Sequence, residues 1–303
     1  MKRAFLSLLA IAAISFTSCS DDDDIATTKT VSQSFQNLPD VGSNYVYEGW
    51  LIVGAEKIST GRFTNTEGAS HTSAALDITK VNAATEYVLT IEPTNETGAD
   101  LSSPSGWIFS KGTFTNTTAN PSTDGAIYEA GSNLETATSQ FFLKAPSAGM
   151  DGTDANGIWW INALPPTTGG FTNLPTLGSG WIYEGWVVVN DNSGSPVPIS
   201  TGKFSDPNMA DDNNNEFKGA GMVPPFPGED FIMDPNNKYP NVTFPIDLTS
   251  ANVVISIEPT VGDDPAPFGL KPFTKQLDNQ TVSVAVTMDN GYANKVISGT
   301  VTR

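Results

Sequence analysis

Hydrophobic and polar residues alternate with a period of two along several short stretches of the chain, as they do in β-strands with one buried face. In residues 253–260, for example, Val253, Ile255 and Ile257 share one predicted face. Asn, Asp, Gly and Pro, which favour turns, separate these stretches. The nearest candidate for a long helix, residues 134–143, is equally compatible with a strand. The pattern therefore predicts an all-β protein.

The predicted strands belong to an internal repeat. Residues 35–50 align without a gap with residues 171–186, and 10 of these 16 positions are identical. The later blocks of the repeat follow in the same order, and they pair 58–63 with 199–204 and 87–94 with 253–260. Because the insertions fall between the blocks, where surface loops tolerate them, the repeat indicates a tandem duplication.

The repeat defines the predicted domain organisation. Short strands separated by turns are typical of immunoglobulin-like β-sandwiches. We therefore expect two tandem immunoglobulin-like sandwiches, over residues 35–164 and 171–303, joined by a linker rich in Pro and Gly. A signal peptide (1–18) and an acidic tether (19–34) precede them.

The N-terminus has the pattern of a secretory signal. Two basic residues precede an apolar run, residues 4–16, that is too short to span a bilayer as a helix. Phe-Thr-Ser at residues 16–18 stands directly before Cys19, the only cysteine, and resembles a bacterial lipobox. The resemblance implies cleavage before Cys19 and a lipid anchor with acyl chains such as palmitate. The alternative is a non-lipidated signal that ends beside an unrelated cysteine.

An acidic run follows the cysteine at once. Its residues are Ser20, Asp21, Asp22, Asp23 and Asp24. The run resembles the signal by which some Gram-negative bacteria send lipoproteins to the outer face of the outer membrane, and such signals are addresses read by a receptor. We therefore expect an outer-membrane lipoprotein that faces the cell exterior. A solvated spacer on a periplasmic protein is the alternative.

Both copies carry the same three motifs: an aromatic strand that ends in Trp, a Ser-Thr-Gly block that ends in Phe, and a strand that ends in Glu-Pro. These motifs resemble the extracytoplasmic domain of anti-sigma-K factors, which implies a similar fold and a role in envelope signalling. The cytoplasmic sigma-binding segment and the transmembrane helix of that family have no counterpart in the sequence. We expect the repeated residues to be structural, and they are Tyr47, Glu48, Trp50, Gly61, Phe63, Glu92 and Pro93, with Tyr183, Glu184, Trp186, Gly202, Phe204, Glu258 and Pro259.

Composition further limits the classes of partner and of site that the protein can have. The formal net charge of −18 argues against nucleic acid as a partner, because such binding requires a cationic surface. A single histidine, His71, and a single cysteine supply neither a His-rich zinc site nor a disulfide framework. The sequence pairs no carboxylates in the way that a glycosidase requires. We therefore predict no catalytic residue, no metal and no cofactor.

The aromatic residues are the candidate ligand contacts. Trp50 and Trp186 could form a platform for sugars, but their place in apolar strands favours packing. Trp159 and Trp160 are adjacent, so in a strand one is expected in the core and the other exposed. The exposed ring, together with Trp107 in a loop, is the predicted contact with a ligand.

The glutamates of the motifs have different expected environments. Glu48 and Glu184 share a strand face with the motif tryptophans, so each is either a buried, hydrogen-bonded residue or one that reads a ligand. Glu92 and Glu258 stand before Pro and alternate out from the core face, which predicts a turn or surface position.

Two loops have the oxygen-rich composition of calcium sites. Asp151, Asp154 and Asn156 before Gly157 match part of a calcium loop, and residues 211–216 offer many oxygens without a fixed spacing. Solvated loops explain both segments more simply.

These features lead to two hypotheses about function. The first is a non-enzymatic surface lipoprotein that binds an extracellular polysaccharide or protein. The second is an envelope signalling component related to anti-sigma sensors.

Overall fold

The computed structural model describes residues 26–65, 70–149, 153–162, 167–213, 215–262, 264–293 and 297–303. Strands account for 42% of the structure and helices for 5%, and the sheets are antiparallel, so the prediction of an all-β fold is confirmed. The immunoglobulin-like arrangement of the strands stays a prediction. The segment at 134–143, which the sequence left ambiguous, contains a strand and no α-helix.

The elements are numbered in chain order. The strands are β1 (Thr28–Lys29), β2 (Ser32–Gln36), β3 (Tyr45–Val53), β4 (Glu56–Phe63), β5 (Ser70–Thr72), β6 (Leu76–Asp77), β7 (Glu86–Pro93), β8 (Ile108–Thr113), β9 (Thr118–Ala119), β10 (Thr138–Leu143), β11 (Gly157–Trp159), β12 (Ile161–Asn162), β13 (Thr168–Gly169), β14 (Phe171–Thr172), β15 (Trp181–Asn190), β16 (Pro196–Phe204), β17 (Gly228–Asp230), β18 (Asn252–Pro259), β19 (Phe273–Gln276), β20 (Ala285–Thr287), β21 (Asp289–Asn290) and β22 (Ser298–Thr302). Helix α1 spans Ile78–Ala83, and 3-10 turns span Gly98–Ser102 and Asp154–Asn156.

The first sandwich consists of two facing sheets. Sheet A has the strand order β4-β3-β7-β8, and sheet B has the order β5-β2-β22-β9. Phe35 of sheet B joins the sheets, because its ring lies 5.9 Å from the ring of Phe63 and 6.3 Å from that of Tyr87 in sheet A. The apolar face of each strand is thereby removed from water.

The second sandwich repeats this plan. Sheet C has the order β16-β15-β18-β19-β21, and sheet D has the order β14-β10-β11-β17 with β20 on the other side of β10. Phe171 of sheet D packs at 5.5 Å from Phe204 and 6.3 Å from Phe273 of sheet C. Phe171 is the repeat partner of Phe35, so equivalent residues join the sheets in both sandwiches.

The two copies exchange strands that come late in each repeat. Strand β10 belongs to the first copy in sequence but pairs with β14, β11 and β20 of the second sandwich. Strand β22 belongs to the second copy but pairs with β2 and β9 of the first sandwich. The boundaries predicted at 35–164 and 171–303 therefore do not separate the two sandwiches. Each copy needs the other to complete a sheet.

The Ser-Thr-Gly motif forms the same β-bulge in both copies. The register of β3 against β4 shifts between Gly49 and Trp50, and that of β15 against β16 shifts between Gly185 and Trp186. A bulge inserts one extra residue and needs unusual backbone angles. The motif glycines supply them, with φ of +106° at Gly61 and +119° at Gly202.

The tyrosines of the motif tie each sandwich to its first turn. The hydroxyl of Tyr47 donates a hydrogen bond of 2.8 Å to the carbonyl of Pro39, and Tyr183 makes the same 2.8 Å bond to Pro175. The intervening turns have an asparagine in the left-handed region, Asn37 in the first copy. Asn tolerates that region better than most residues do, which explains its place in the motif.

The C-terminal residue fixes strand β22. The guanidinium of Arg303 donates hydrogen bonds to the carbonyls of Val81 and Asn82 at the end of α1, each 2.9 Å long, and to that of Asn116 at 2.9 Å. It also lies 4.4 Å from the ring centre of Phe114. The last residue of the chain is thus held by the first copy.

Candidate functional site

The motif glutamates Glu48 and Glu184 are buried and hydrogen-bonded. Glu48 accepts from the hydroxyl of Ser59 at 2.5 Å and from Nε of Arg62 at 2.7 Å. Glu184 accepts from Ser200 at 2.5 Å. Both side chains lie inside the protein, so of the two alternatives for these glutamates the structure shows the structural one.

The motif tryptophans are also buried, and each lies in a hydrogen-bonded relay. Nε1 of Trp50 donates to Thr90 Oγ1 at 3.0 Å, and Thr90 in turn donates to Glu92. In the second copy Trp186 donates to Ser256 at 2.9 Å, and Ser256 donates to a glutamate in the same way. A buried indole N–H needs such an acceptor.

The surface position predicted for Glu92 and Glu258 is wrong. Both are buried, and burial raises the pKa of each carboxyl. The loops that follow β7 and β18 fold back over these residues, and the backbone N–H groups of Ser105 and Phe268 donate to them at 2.9 and 2.8 Å. Side chains alternate between the two faces of these strands as the sequence predicts, but both faces are covered.

The exposure predicted for one of the paired tryptophans is also wrong. Trp159 and Trp160 are 1% and 0% exposed. Nε1 of Trp159 donates to Asp230 at 2.8 Å, and that of Trp160 lies 3.4 Å from the sulfur of Met288. Strand β11, which contains Trp159, lies between β10 and β17 in sheet D, and neither ring is accessible to a ligand at the surface.

The third predicted contact, Trp107, is half-buried and packs at a junction between the two sandwiches. Its ring lies 5.9 Å from that of Tyr45, which in turn lies 4.7 Å edge-on from Phe268. Trp181, the repeat partner of Tyr45, lies 6.2 Å from the same phenylalanine. These four rings join the first copy to the second.

A cleft of about 510 Å³ opens beside this aromatic group, and we call it the junction cleft. One wall is formed by residues 40–45 and the other by residues 264–269 and Lys271. Gly269 allows the walls to meet at their base, because a Cβ there would lie 2.3 Å from the carbonyl oxygen of Asp40. The cleft therefore contains residues from both copies.

The polar side chains that line the junction cleft carry carboxylate, hydroxyl, amide and ammonium groups, and they are Asp40, Ser43, Asn44, Tyr45, Asp264 and Lys271. The hydroxyl of Tyr45 donates to Asp264 across the cleft at 2.8 Å, and burial together with this bond raises the pKa of Tyr45. Asp40, Asn44 and Lys271 are exposed along its length. An aromatic floor with such polar groups matches the usual composition of a binding site.

Tyr45, Asp264 and Phe268 are residues of this site that the sequence did not predict. Tyr45 aligns with a tryptophan in the second copy, so a repeated aromatic at the start of a strand was a usable signal. The acidic loop residue and the phenylalanine carried no such signal, because they enter the site only through the packing of one copy on the other.

In the first candidate calcium loop, side-chain oxygens already accept hydrogen bonds from other residues of the protein. Asp154 accepts from the hydroxyl of Ser283 at 2.5 Å, and Asn156 accepts from the backbone of Thr153 at 2.6 Å. Asp151 lies outside the described residues. The available oxygens thus hold a 3-10 turn in place.

The second candidate loop covers buried acids. Asp211 accepts from the N–H of Gly228 at 2.8 Å, and Glu229 accepts from the amide of Asn213 at 3.1 Å. Burial raises the pKa of Asp211 to about 7 and that of Glu229 to about 8. In the part of the chain that the structure describes, no cluster of three or more His, Cys, Asp or Glu side chains is arranged to hold a metal ion.

The predicted anchor residues, Cys19 and Ser20 to Asp24, lie outside the described residues. Within the described ranges, no helix is both long and apolar enough to cross a membrane.

The fold and the site together define an all-β protein of two interlocked sandwiches with a cleft at their junction. Comparison with known proteins finds no matching family, no similar curated protein and no similar solved structure. The resemblance to anti-sigma-K factors therefore stays a prediction from short motifs.

Proposed function

We propose that the protein is a non-enzymatic lipoprotein of the outer cell surface that binds an extracellular polysaccharide in the junction cleft. The observation that carries this proposal is the cleft itself, with about 510 Å³ of space bordered by both sandwiches. Sites for small ligands are concave, and they combine apolar walls with a few polar groups that fix orientation.

The chemistry of the cleft suits a sugar. The partly exposed ring of Tyr45 offers apolar surface to the C–H face of a pyranose, and the buried Phe268 supports that ring edge-on at 4.7 Å. The carboxylate of Asp264 accepts hydrogen bonds, and the ammonium group of Lys271 donates them, so both can pair with hydroxyl groups.

The carboxyl groups with raised pKa support binding without catalysis. A general acid at neutral pH needs a raised pKa and access to the substrate. In the described part of the chain, the carboxyls with raised pKa do not line the junction cleft, and they are Glu92, Asp211, Glu229, Asp230 and Glu258. Glu258 comes nearest, but it is buried behind Phe268, whose N–H donates to it.

A glycan array followed by calorimetry tests the site. We expect Lys271→Ala and Asp264→Asn to weaken binding of the selected polysaccharide by about tenfold each, because each removes a hydrogen bond that involves a charged group. Lys57→Ala, an exposed lysine on β4, is the matched control and should bind like the unmodified protein. Unchanged binding by both cleft variants would place the ligand elsewhere, and binding to no glycan would favour a protein ligand.

Surface display rests on the lipobox-like sequence and the acidic run after Cys19. We expect Cys19→Ala to move the protein from the membrane to the soluble fraction, because acyl chains supply the membrane affinity. Fractionation of cells measures this. Protease added to intact cells should digest the unmodified protein, and protection until the outer membrane is broken would show that the protein faces the periplasm.

A further inference from the structure

A second cavity lies at the edge of the first sandwich, and we call it the sheet pocket. Its volume is about 160 Å³. Residues of β2 and β5 in sheet B form one wall, and the end of β4 in sheet A forms the other. Thr64 and Ser70, which also line it, are exposed, so the pocket reaches the surface. It shares no lining residue with the junction cleft.

Gln33 brings a buried hydrogen-bond donor to this pocket. Its side chain is 1% exposed. Its Oε1 accepts hydrogen bonds from the hydroxyl of Thr60, at 3.0 Å, and from that of Tyr87. Both hydroxyls engage the same atom of the amide, and Nε2 has no hydrogen-bond partner. Because a buried donor without an acceptor costs free energy, an acceptor atom of a ligand at Nε2 is favourable.

His71 faces the same space from the neighbouring strand. Gln33 and His71 are directly opposite each other in the register of β2 and β5, so their side chains point to the same side of sheet B. The imidazole stacks on Phe63 at 4.8 Å, and its Nε2 is also buried without a hydrogen-bond partner. Gly61 makes room for this ring, because a Cβ there would lie 2.9 Å from Nε2. Two buried polar atoms without partners thus lie beside one cavity.

The second copy lacks the amide of Gln33 and still forms the same sandwich. When the alignment of the first motif is continued two residues back, Gln33 corresponds to Gly169. A Cβ on Gly49 would collide with Oε1 of Gln33, whereas a Cβ on Gly185, its repeat partner, would collide with the ring of Trp160. An indole therefore fills in the second copy the place that the amide has in the first. The fold does not need the free donor, which favours a role for it in binding.

The chemistry of the sheet pocket fits an uncharged group that has a carbonyl oxygen. A carbonyl can accept from Nε2 of Gln33, and a methyl group beside it can pack against the rings of Phe35 and Phe63. No Asp, Glu, Lys or Arg is among the described residues that line the pocket. A single buried water needs only about 10–15 Å³ of such space, so the pocket has room for a larger group.

We propose that the sheet pocket binds the acetamido group of an N-acetylated sugar. This group combines a carbonyl acceptor with a methyl group and has no charge. The rim of the pocket adds the hydroxyls of Thr64 and Ser70 and the amide of Asn65, which can pair with the hydroxyls of the attached sugar ring. The site is separate from the junction cleft, so the proposal does not depend on the ligand of that cleft.

Nuclear magnetic resonance of the imidazole tests the proposal. His71 is the only histidine of the chain. The full-length protein, made without a histidine tag and with carbon-13 in its histidine, therefore gives imidazole signals from this pocket alone. We expect N-acetylglucosamine to shift these signals in a saturable way, with a dissociation constant of about a millimolar. Glucose, which lacks the acetamido group, should leave them unchanged.

Two variants locate the bound sugar. Gln33→Met removes the free donor but keeps the length of the side chain, and it should weaken binding by about tenfold. Thr64→Trp obstructs the rim without changing a buried residue, and it should abolish the shift. Ser205→Trp is the matched control, because Ser205 is exposed and follows the same motif in the second copy. It should bind like the unmodified protein.

Three results would overturn the proposal. In the first, N-acetylglucosamine leaves the His71 signals unchanged, so that the pocket holds water only. In the second, Gln33→Met and Thr64→Trp both respond like the unmodified protein. In the third, Nε-acetyllysine shifts the signals and N-acetylglucosamine does not, which rejects a sugar. Lys271→Ala should keep the full response of His71, which separates this site from the junction cleft.

Discussion

Replacing Val301 by Asp is expected to unfold both sandwiches in one transition and to lower the free energy of unfolding by about 3 kcal/mol or more. Val301 is fully buried between sheets A and B, on the strand that the second copy gives to the first. An aspartate there must either be buried as a charge or take up a proton. Either state costs more than the lost packing alone.

We expect the loss of stability to extend to the second sandwich, because each sandwich contains strands from both copies. Without β22, sheet B loses the strand between β2 and β9, and one of the connections between the two copies is lost. The aromatic group around Tyr45 and Phe268 joins the two sandwiches as well. We therefore expect the loss of packing to spread through the large hydrophobic cluster that contains residues of both units.

Calorimetry and urea unfolding of the full chain measure this effect. Thr300→Asp is the control, because Thr300 lies on the same strand but is exposed, and it should change the free energy of unfolding by less than about 0.5 kcal/mol. Two separate transitions in Val301→Asp, with one sandwich as stable as before, would show that the units fold independently.

The second large effect is a loss of stability as the pH rises from about 5 to 8. Burial raises the pKa of Glu229 to about 8, and that of Asp211 to about 7. Between its unfolded and folded pKa values, Glu229 is protonated in the folded protein and ionised in the unfolded one. The folded state then binds more protons, so the free energy of unfolding falls with rising pH and reaches its low plateau above the folded pKa.

The expected loss of stability follows from the size of the pKa shift of Glu229. Each unit of pKa shift corresponds to about 1.4 kcal/mol, so the fully buried Glu229 contributes a loss of several kcal/mol across this window. Neighbouring negative charge adds to the effect, since Asp211 and Asp230 both raise the pKa of Glu229.

Urea unfolding at intervals between pH 5 and pH 8 tests this prediction. Glu229→Gln keeps the size of the side chain but cannot ionise, and we expect it to flatten the dependence on pH and to be the more stable protein at pH 8. Glu216→Gln, a partly exposed residue of the adjacent loop that pairs with Lys238, should keep the original slope. If the stability of Glu229→Gln depended on pH as steeply as that of the unmodified protein, other groups would cause the pH dependence.

Much of the local structure could be predicted because it depends on residues close in sequence. Period-two alternation predicted the long strands of both copies, and β3 and β15 begin where the aligned motifs place them. The repeated Gly61 and Gly202 adopt a positive φ at a β-bulge. The repeated tyrosines donate a hydrogen bond to a nearby proline carbonyl. These features recur because the same short sequences fold in the same way twice.

The site could be predicted less well, because burial depends on what other segments cover. Glu92 lies on the strand face that alternation assigns to solvent, but a later loop closes over it and donates from Ser105. Trp159 is buried because Asp230, far away in sequence, brings an acceptor to its indole. The junction cleft exists only where residues 40–45 meet residues 264–269.

The sequence by itself determined the class of fold, the number of copies and the conformation of the repeated motifs, since each of these rests on local periodicity and turn chemistry. The tertiary structure alone decided which copy completes which sandwich. Strands β10 and β22 are short and both alternate in burial, so alternation alone does not assign either strand to a sandwich. Long-range packing, with contacts such as those of Arg303 to α1, selects the exchanged arrangement.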